Sequence, residues 1–372
     1  EALFYEDDRK DGRREKGLGL ICTAAELTVP QGEDGRLELV FSTEPSDKTG
    51  AEILRGSEAR QRALLEDSGF KDPVARELAR SADHFIAYRP STGGKTILAG
   101  YPYFGDWGRD TMIALPGCVL ATGRYETARS ILRTFLAYER DGLVPNLFPE
   151  GGEEPRYNTV DAALLLINCV WLYWQRTGDG DFVREAWPVM VRIVEAYQKG
   201  TRHDIGMDGD GLIHAGKGMD QVTWMDVCVE GVLPTPRHGK PVEINAYWYN
   251  ALRILQELAP MVDADGAPYG LLAERVKQSF TELFWMEEKG YLKDVISGTG
   301  ADEQLRCNQI WALTMPFTML PPEWERRVVE SVRQHLYTPF GLRTLSPEDP
   351  EFHPSYGGEQ RERDMAYHQG TI

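Results

Sequence analysis

Apolar residues return at intervals of three and four from about Pro73 to the end of the chain. The pattern predicts helices over roughly 73–88, 110–121, 125–138, 159–176, 182–198, 243–261, 268–285, 308–319 and 323–337, and another starting near Arg363. Two kinds alternate. The segments 125–138, 182–198, 268–285 and 323–337 are amphipathic, with Ala128, Ile131, Leu132 and Phe135, or Leu272, Val276 and Leu283, set at helical spacing beside Arg, Glu and Lys. The segments 110–121, 159–176, 243–261 and 308–319 are apolar almost all round. A helix with one apolar stripe lies at a surface, and one apolar on every side is buried. Their alternation predicts an outer ring of helices wrapped around an inner ring.

The connections alternate too. Those leaving the buried helices are short, at Gly123, Thr177–Asp181, Asp263–Ala267 and Pro321–Pro322. Those entering them are long, at 89–109, 140–158, 199–242, 286–307 and 338–362. In a barrel of alternating inner and outer helices every long connection falls at the same end, and long loops in a compact domain are usually functional. That end is expected to carry the site. The first forty-odd residues differ: Leu18–Ala25 and Arg36–Ser42 alternate apolar and polar residues around Pro30-Gln31-Gly32, which predicts two strands. Two strands alone are marginal, so the expected division is the end of an N-terminal β-domain over 1–50 and a helical barrel over 51–372.

Composition narrows the function. The chain has 372 residues, a formal net charge of −17 and 42% hydrophobic residues, with 16 tyrosines and 9 tryptophans. A well-filled core is expected, and a polyanion such as nucleic acid is repelled. No apolar run approaches the length of a membrane span. Five cysteines (Cys22, Cys118, Cys169, Cys228, Cys307) are scattered without a CxxC pair. That set argues for a reducing, cytoplasmic compartment and against a disulfide framework or a zinc site. The chain opens on Glu1 and stops at Ile372, so both ends are expected to be cut.

Candidate chemistry clusters in the long loops. Residues 101–111 read YPYFGDWGRDT, placing Asp106, Arg109 and Asp110 among Tyr101, Tyr103, Phe104 and Trp107. Aromatic faces beside charged hydrogen-bonding groups suit a ligand that is apolar on its C–H face and ringed by hydroxyls, such as a sugar. Similar clusters follow: PNLFPEGGEEPRYNTVDA with Asn146, Tyr157, Asn158 and Asp161; QVTWMDVCVEG with Trp224 and Asp226, continued by TPRHGKPVEINA in the same loop; RCNQ with Asn308 and Gln309; and RDMAYHQGT with His368 and Gln369. Any one could be a helix cap, but five at one mouth argue for a site. Asp226 follows Trp224 and Met225, so its carboxyl is presented against apolar bulk, which raises its pKa and suits it to donate a proton. Gly93-Gly94-Lys95-Thr96 lacks the first glycine and the preceding strand of a phosphate loop. Asp208-Gly209-Asp210-Gly211 lacks the closing Glu of a calcium loop and is expected to be a tight turn. His84, His203, His214, His238, His335 and His353 show no ligand spacing.

Taken together and in order, YPYFGDWGRDT, GLVPNLFP, YNTVDA, TWMD, TPRHGKPVEINA, GLRTL and RDMAYHQGT resemble the glucosidase part of glycogen debranching enzymes, the amylo-α-1,6-glucosidase type, over nearly everything from Ala99 to Thr371. The resemblance implies a mainly α fold, an (α/α)6 barrel. It implies removal, with inversion, of the α-1,6-linked glucose left at a branch stub of glycogen or a related branched α-glucan. That reaction needs no cofactor and no metal. The charge and the lack of a membrane-length run leave no nucleic-acid or membrane partner, and a separate glucanotransferase is expected upstream if the substrate is intact glycogen. Asp226 matches the family's general acid. Arg109 and Asp110 match the pair that holds the hydroxyls of the terminal glucose, with Trp107 along its face. Asp161, Trp224, Asn308, Gln309, His368 and Gln369 lie in matching motifs and are expected to line the substrate. The family's general base is a Glu before the last helix, expected beyond Ile372, so the barrel is expected to be incomplete here. Cys307 stands where a proline is more usual. Two rival readings are a glucoamylase-like or trehalase-like hydrolase on the same barrel, and a non-catalytic glucan-binding module.

Overall fold

The computed structural model describes residues 2–4, 18–20, 40, 42, 45–100, 104–148 and 154–371. Near the start, β1 (Ala2–Phe4) pairs antiparallel with β2 (Leu18–Leu20). The strand expected over Leu18–Ala25 is therefore present at its beginning, but its partner is β1. Val40 and Ser42 are not in a strand, and the rest of Arg36–Ser42 lies outside the described residues. Alternation fixes which faces a strand presents, not which strand it meets.

The helices follow as α1 (Gly50–Asp67), α2 (Pro73–Asp83), α3 (Gly108–Leu115), α4 (Tyr125–Ala137), α5 (Ala162–Thr177), α6 (Gly180–Lys199), α7 (Val242–Leu258), α8 (Ala267–Phe284), α9 (Trp311–Thr314), α10 (Pro322–His335) and α11 (Gln360–Ala366). Inner helices pack in succession, α3 on α5, α5 on α7, and α7 on α9. The outer helices lie against them, α4 on α5, α6 between α5 and α7, and α8 on α7. This is the arrangement of an (α/α)6 barrel. The sequence pattern explains which ring each helix joins. In α7 every residue from Val242 to Leu252 is buried, whereas in α10 only Val328 and Val332 are.

Polar pins hold the inner ring together. Asn250 of α7 donates to Asn168 of α5 (3.1 Å) and accepts from the backbone N–H of Phe317 beyond α9 (3.2 Å). Stacked against Tyr197 of α6, Trp248 donates to the Gly211 carbonyl (3.0 Å), and the Tyr197 hydroxyl donates to the Val160 carbonyl (2.7 Å). Each buried polar end is thereby satisfied.

Two expected helices are shorter than their pattern. The segment 73–88 stops at Asp83, and residues 86–89 become β3 (Ile86–Arg89), hairpinned to β4 (Gly94–Ile97). The segment 308–319 is a 3₁₀ turn, Cys307–Ile310, followed by the single turn of α9. Pro316 disfavours helix at Met315, which is extended (φ −69°, ψ 153°), and Trp311 and Leu313 are only half-buried. Helix α1 was not expected from the pattern.

The long loops meet one another in chain order. Gly108 N–H donates to the Asn146 carbonyl, and Val160 N–H to Val222. Ala215 bridges Gly239, and β6 (Val295–Ser297) pairs with β5 (Lys240–Pro241) and β7 (Gly300–Asp302). Further on, Ser346 N–H donates to Leu305, and His353 N–H to Gln369. The five loops therefore share one end. Gly93 and Gly94 turn the β3–β4 hairpin. Asp208 and Asp210 flank a turn and grip Lys240 (2.9 and 2.7 Å), as expected of a tight turn.

Candidate active site

The site starts where loop 89–109 becomes α3. A Cβ on Gly108 would lie 2.0 Å from the Pro145 carbonyl oxygen, so only glycine lets the two loops touch here. That contact sets the phase of α3. Arg109 turns into the barrel and is buried, and Asp110 faces the mouth. Asp106, four residues before Asp110, points the other way. It is buried, paired with Arg89, and accepts from Thr96 Oγ1 at 2.5 Å, while the Arg89 guanidinium lies 3.9 Å from the Phe148 ring centre. Asp106 is thus part of the loop's scaffold. Tyr101 and Tyr103 lie outside the described residues, Phe104 is exposed and Trp107 half-buried.

Arg109 joins two carboxylates that come from different loops. Its Nε donates to Asp161 Oδ2 at 2.6 Å, its Nη1 to Asp226 Oδ2 at 3.4 Å, and its Nη2 to the Val222 carbonyl at 3.4 Å. Asp161 is the N-cap residue of α5, yet its side chain makes no capping bond and is committed to Arg109. The capping explanation therefore does not account for it. Asp226 is half-buried, its side chain 39% exposed, in contrast to 4% for Asp161. Burial pushes the Asp226 carboxyl up, against the downward pull of Arg109. Asp110 as a whole is open to solvent, yet protein surrounds its carboxyl closely enough that desolvation pushes it up as well, again opposed by Arg109.

A second, fully buried ionic cluster stands behind this one. Arg237 holds Glu243 through Nη1 and Nη2 (2.5 and 2.6 Å) and Asp294 through Nε (2.7 Å), and all three side chains are at most 2% exposed. Burial pushes the Glu243 carboxyl up while Arg237 pulls it down. Asp294 also accepts from Asn308 Nδ2 (2.8 Å), and Asn308 Oδ1 accepts from Trp224 Nε1 (2.7 Å). A chain of hydrogen bonds therefore runs from the buried cluster to the residue two places before Asp226. Gly239, at φ +115°, allows this loop to lie against β6, since a Cβ there would stand 2.4 Å from the Ile296 carbonyl oxygen.

The remaining candidates divide. Gln309 is buried and spent on the backbone, accepting from Leu292 N–H and donating to the Arg306 carbonyl. Gln369 is buried and accepts from Arg306 Nη2 at 2.8 Å. Both sit within the scaffold of the mouth. His368 is buried, its Nδ1 3.2 Å from Thr235 Oγ1 and its ring edge-on to Trp224 at 5.4 Å. Burial, then the charges of Arg306, Arg237 and Arg109, bring its pKa down to about 3, so the imidazole is neutral. Its Nε2 has no hydrogen-bond partner among the described residues. Arg306, which holds the His368 carbonyl at 2.9 Å, and Arg237, Glu243, Asp294 and Tyr367 were not singled out from the sequence. Four of these five lie in or beside motifs quoted above, but nothing local marks Asp294.

The arrangement offers a half-open carboxyl raised by burial, a cation behind it, a solvent-facing carboxylate beside it and indole faces at the edge. That set can donate a proton to an ether oxygen and hold hydroxyls.

Comparison with known proteins places the chain. The family model described as amylo-alpha-1,6-glucosidase matches residues 80–372. The glycogen debranching enzyme of Saccharomyces cerevisiae (strain ATCC 204508 / S288c) is 25% identical over 377 residues, 76% of this chain and 24% of the yeast protein. The chain thus spans about a quarter of that relative's length. Among solved structures, the GH63 mannosylglycerate hydrolase from Thermus thermophilus, in complex with glucose, superposes with a TM-score of 0.55 at 16% identity, covering 79% of this chain and 82% of that one. The GH78 rhamnosidase of Bacillus sp. GL1 gives 0.53 at 16% identity, covering 76% and 27%. These two likenesses concern the fold.

Proposed function

Because the chain belongs to the amylo-alpha-1,6-glucosidase family and is a glycoside hydrolase of the debranching type, we propose that it removes single glucose units from α-1,6 branch stubs of glycogen or a related branched glucan, with inversion. The observation that carries this reading is the Asp226 carboxyl, half-open at the mouth and raised by burial beside Arg109. In this reading Asp226 protonates the leaving glycosidic oxygen. Asp110 accepts from hydroxyls of the departing glucose, and Trp107 covers its C–H face. Arg109, buried and bound to Asp161, acts as a positioning residue that fixes where Asp226 stands. Inversion requires a second carboxylate that activates water on the opposite face, about 6.5–9.5 Å from the first; the resemblance assigns that role to no residue of this chain.

The test is glucose release by the full-length protein from a dextrin carrying single-glucose α-1,6 stubs, beside a linear α-1,4 dextrin. Release from the stub alone, reduced at least a hundredfold in Asp226→Asn with dextrin affinity kept, is the expected result; general acid catalysis contributes about 10²–10⁴ in rate. Release from the linear chain alone would move the enzyme to the glucoamylase-like reading. Affinity without turnover of either would leave a glucan-binding module. An Asp226→Asn variant that keeps more than a few per cent of kcat would remove Asp226 as the acid.

A further inference from the structure

Three ring contacts form a continuous ladder leading away from Asp226. Trp224 meets His368 at 5.4 Å between ring centres, His368 meets Tyr367 at 4.8 Å, and Tyr367 meets Tyr356 at 6.0 Å. The inner rings are covered, Trp224 half-buried and His368 at 2%, whereas Tyr367 and Tyr356 stand 47% and 50% exposed. The ladder therefore begins beside the candidate acid and ends in solvent. Tyr367 lies within electrostatic reach of both Asp226 and Asp110, which, after burial and Tyr356, push its phenol up.

The two outer rings are held in place from below. Tyr367 is the C-cap residue of α11, and its carbonyl accepts from Thr371 Oγ1. The loop bearing Tyr356 is tied to the same segment where His353 N–H donates to the Gln369 carbonyl at 2.7 Å. A Cβ on Gly370 would lie 2.4 Å from the Phe352 ring, so the two segments are in close contact there. Rigid, half-exposed tyrosines present a large amphipathic surface at low entropic cost, and an aromatic face is the natural partner of a pyranose C–H face.

We propose that Tyr367 and Tyr356 form a glucan subsite on the leaving-group side of the scissile bond, which grips the α-glucan chain from which the terminal glucose is cut. This rests on the reading of Asp226 as the proton donor. The terminal glucose is held at Asp110 and Trp107 in that reading, while the rest of a polymer must run out to solvent. Tyr367 stands within electrostatic reach of Asp226 and Asp110, and Tyr356 stands one ring further out, half in solvent, where such a chain would leave the site. A sugar unit stacked on Tyr356 is therefore part of the leaving chain.

The experiment compares the full-length protein with Tyr356→Ala and Tyr356→Phe on two substrates. One is the stub-bearing dextrin, and the other is α-glucosyl fluoride, which has the same glucosyl group but no leaving sugar. Tyr356→Ala is expected to lower kcat/KM on the dextrin about ten-fold relative to the fluoride, through KM, which is about 1.4 kcal/mol of lost binding. Tyr356→Phe keeps the ring and should restore most of it. An unchanged ratio, or an equal fall on both substrates, would overturn the subsite. If the wild-type protein turned over neither substrate, the hydrolase reading itself would fail. Dextrin titration by tryptophan fluorescence then decides: weaker binding in Tyr356→Ala supports the ladder as a glucan site, and equal affinity overturns it.

Discussion

Replacing Asp161 with asparagine separates the shape of the Arg109 site from its charge. Asp161 Oδ2 accepts from Arg109 Nε at 2.6 Å, with the two side chains 4% and 9% exposed, and Asp161 Oδ1 has no hydrogen-bond partner among the described residues. Asparagine has the same outline. Its carbonyl oxygen continues to accept from Nε, and its amide takes the place of the unpartnered oxygen. Breaking a buried pair outright costs about 3–5 kcal/mol. Keeping the neutral half of the bond brings the expected loss to about 1.5–3 kcal/mol, the range of a hydrogen bond to a charged group, read by urea denaturation. The second effect is on pH dependence. The Asp161 charge pushes the Asp226 carboxyl up, and Arg109 pulls it down. Without the Asp161 charge the upward push disappears, and less of the Arg109 charge is neutralised. Both changes lower the Asp226 pKa. A general acid works protonated, so the rate falls as pH rises through that pKa, and in Asp161→Asn the fall begins at lower pH. The assay is kcat against pH on the stub dextrin. An alkaline limb that stays in place or moves to higher pH would refute the idea that the Arg109–Asp161 pair tunes Asp226, whatever happens to stability.

Two further predictions concern the scaffold. Arg237→Met removes the cation between Glu243 and Asp294 and leaves two buried carboxylates facing each other, so stability should fall by about 3–5 kcal/mol near neutral pH. The deficit should shrink as the pH is lowered and the Glu243 carboxylate, raised by burial, takes up a proton; a urea midpoint close to wild type at neutral pH would sink the account. Gly108→Ala forces a Cβ to within 2.0 Å of the Pro145 carbonyl, whereas Gly117→Ala meets nothing within 4 Å. Calorimetry should show the first markedly destabilised and the second close to wild type, and equal melting temperatures would contradict the packing described.

The helices that were legible in the sequence are those whose apolar positions repeat without interruption. The segments 125–138 and 268–285 appear as Tyr125–Ala137 and Ala267–Phe284. Their ring assignment followed from the width of the apolar stripe, since a buried helix cannot expose a polar face. Helix α1 escaped that reasoning because it has no core-facing stripe: only Leu64 is buried, and Ile53 and Leu54 are exposed. Its signal was at its start, where Thr49 and Glu52 form a capping box with Glu52 accepting from the Thr49 N–H at 2.8 Å. The overlong reading of 308–319 is the opposite error. The residues are apolar enough for an inner helix, but Pro316 sets the end.

The site was legible in its residue types and much less in its pairings, for a reason visible in the first motif. Asp106 and Asp110 are four residues apart in one sequence run, yet Asp106 precedes α3 and is consumed by Arg89, while Asp110 falls inside its first turn and faces the mouth. Which carboxylate is spent depends on where the helix begins, and Gly108 against Pro145 settles that through a contact with another loop. Arg109 likewise meets Asp161 and Asp226 at separations of 52 and 117 residues, which no local spacing encodes. The buried cluster carries the point furthest. Arg237 and Glu243 share one motif, Asp294 comes from the next loop, and Asn308 passes their order on to Trp224 through bonds of 2.8 and 2.7 Å. The position of Asp226 is therefore fixed jointly by the loops that precede α3, α5, α7 and α9. Its chemistry depends on their assembly at one end of the barrel, so disturbing any of the four should be felt at the same carboxyl.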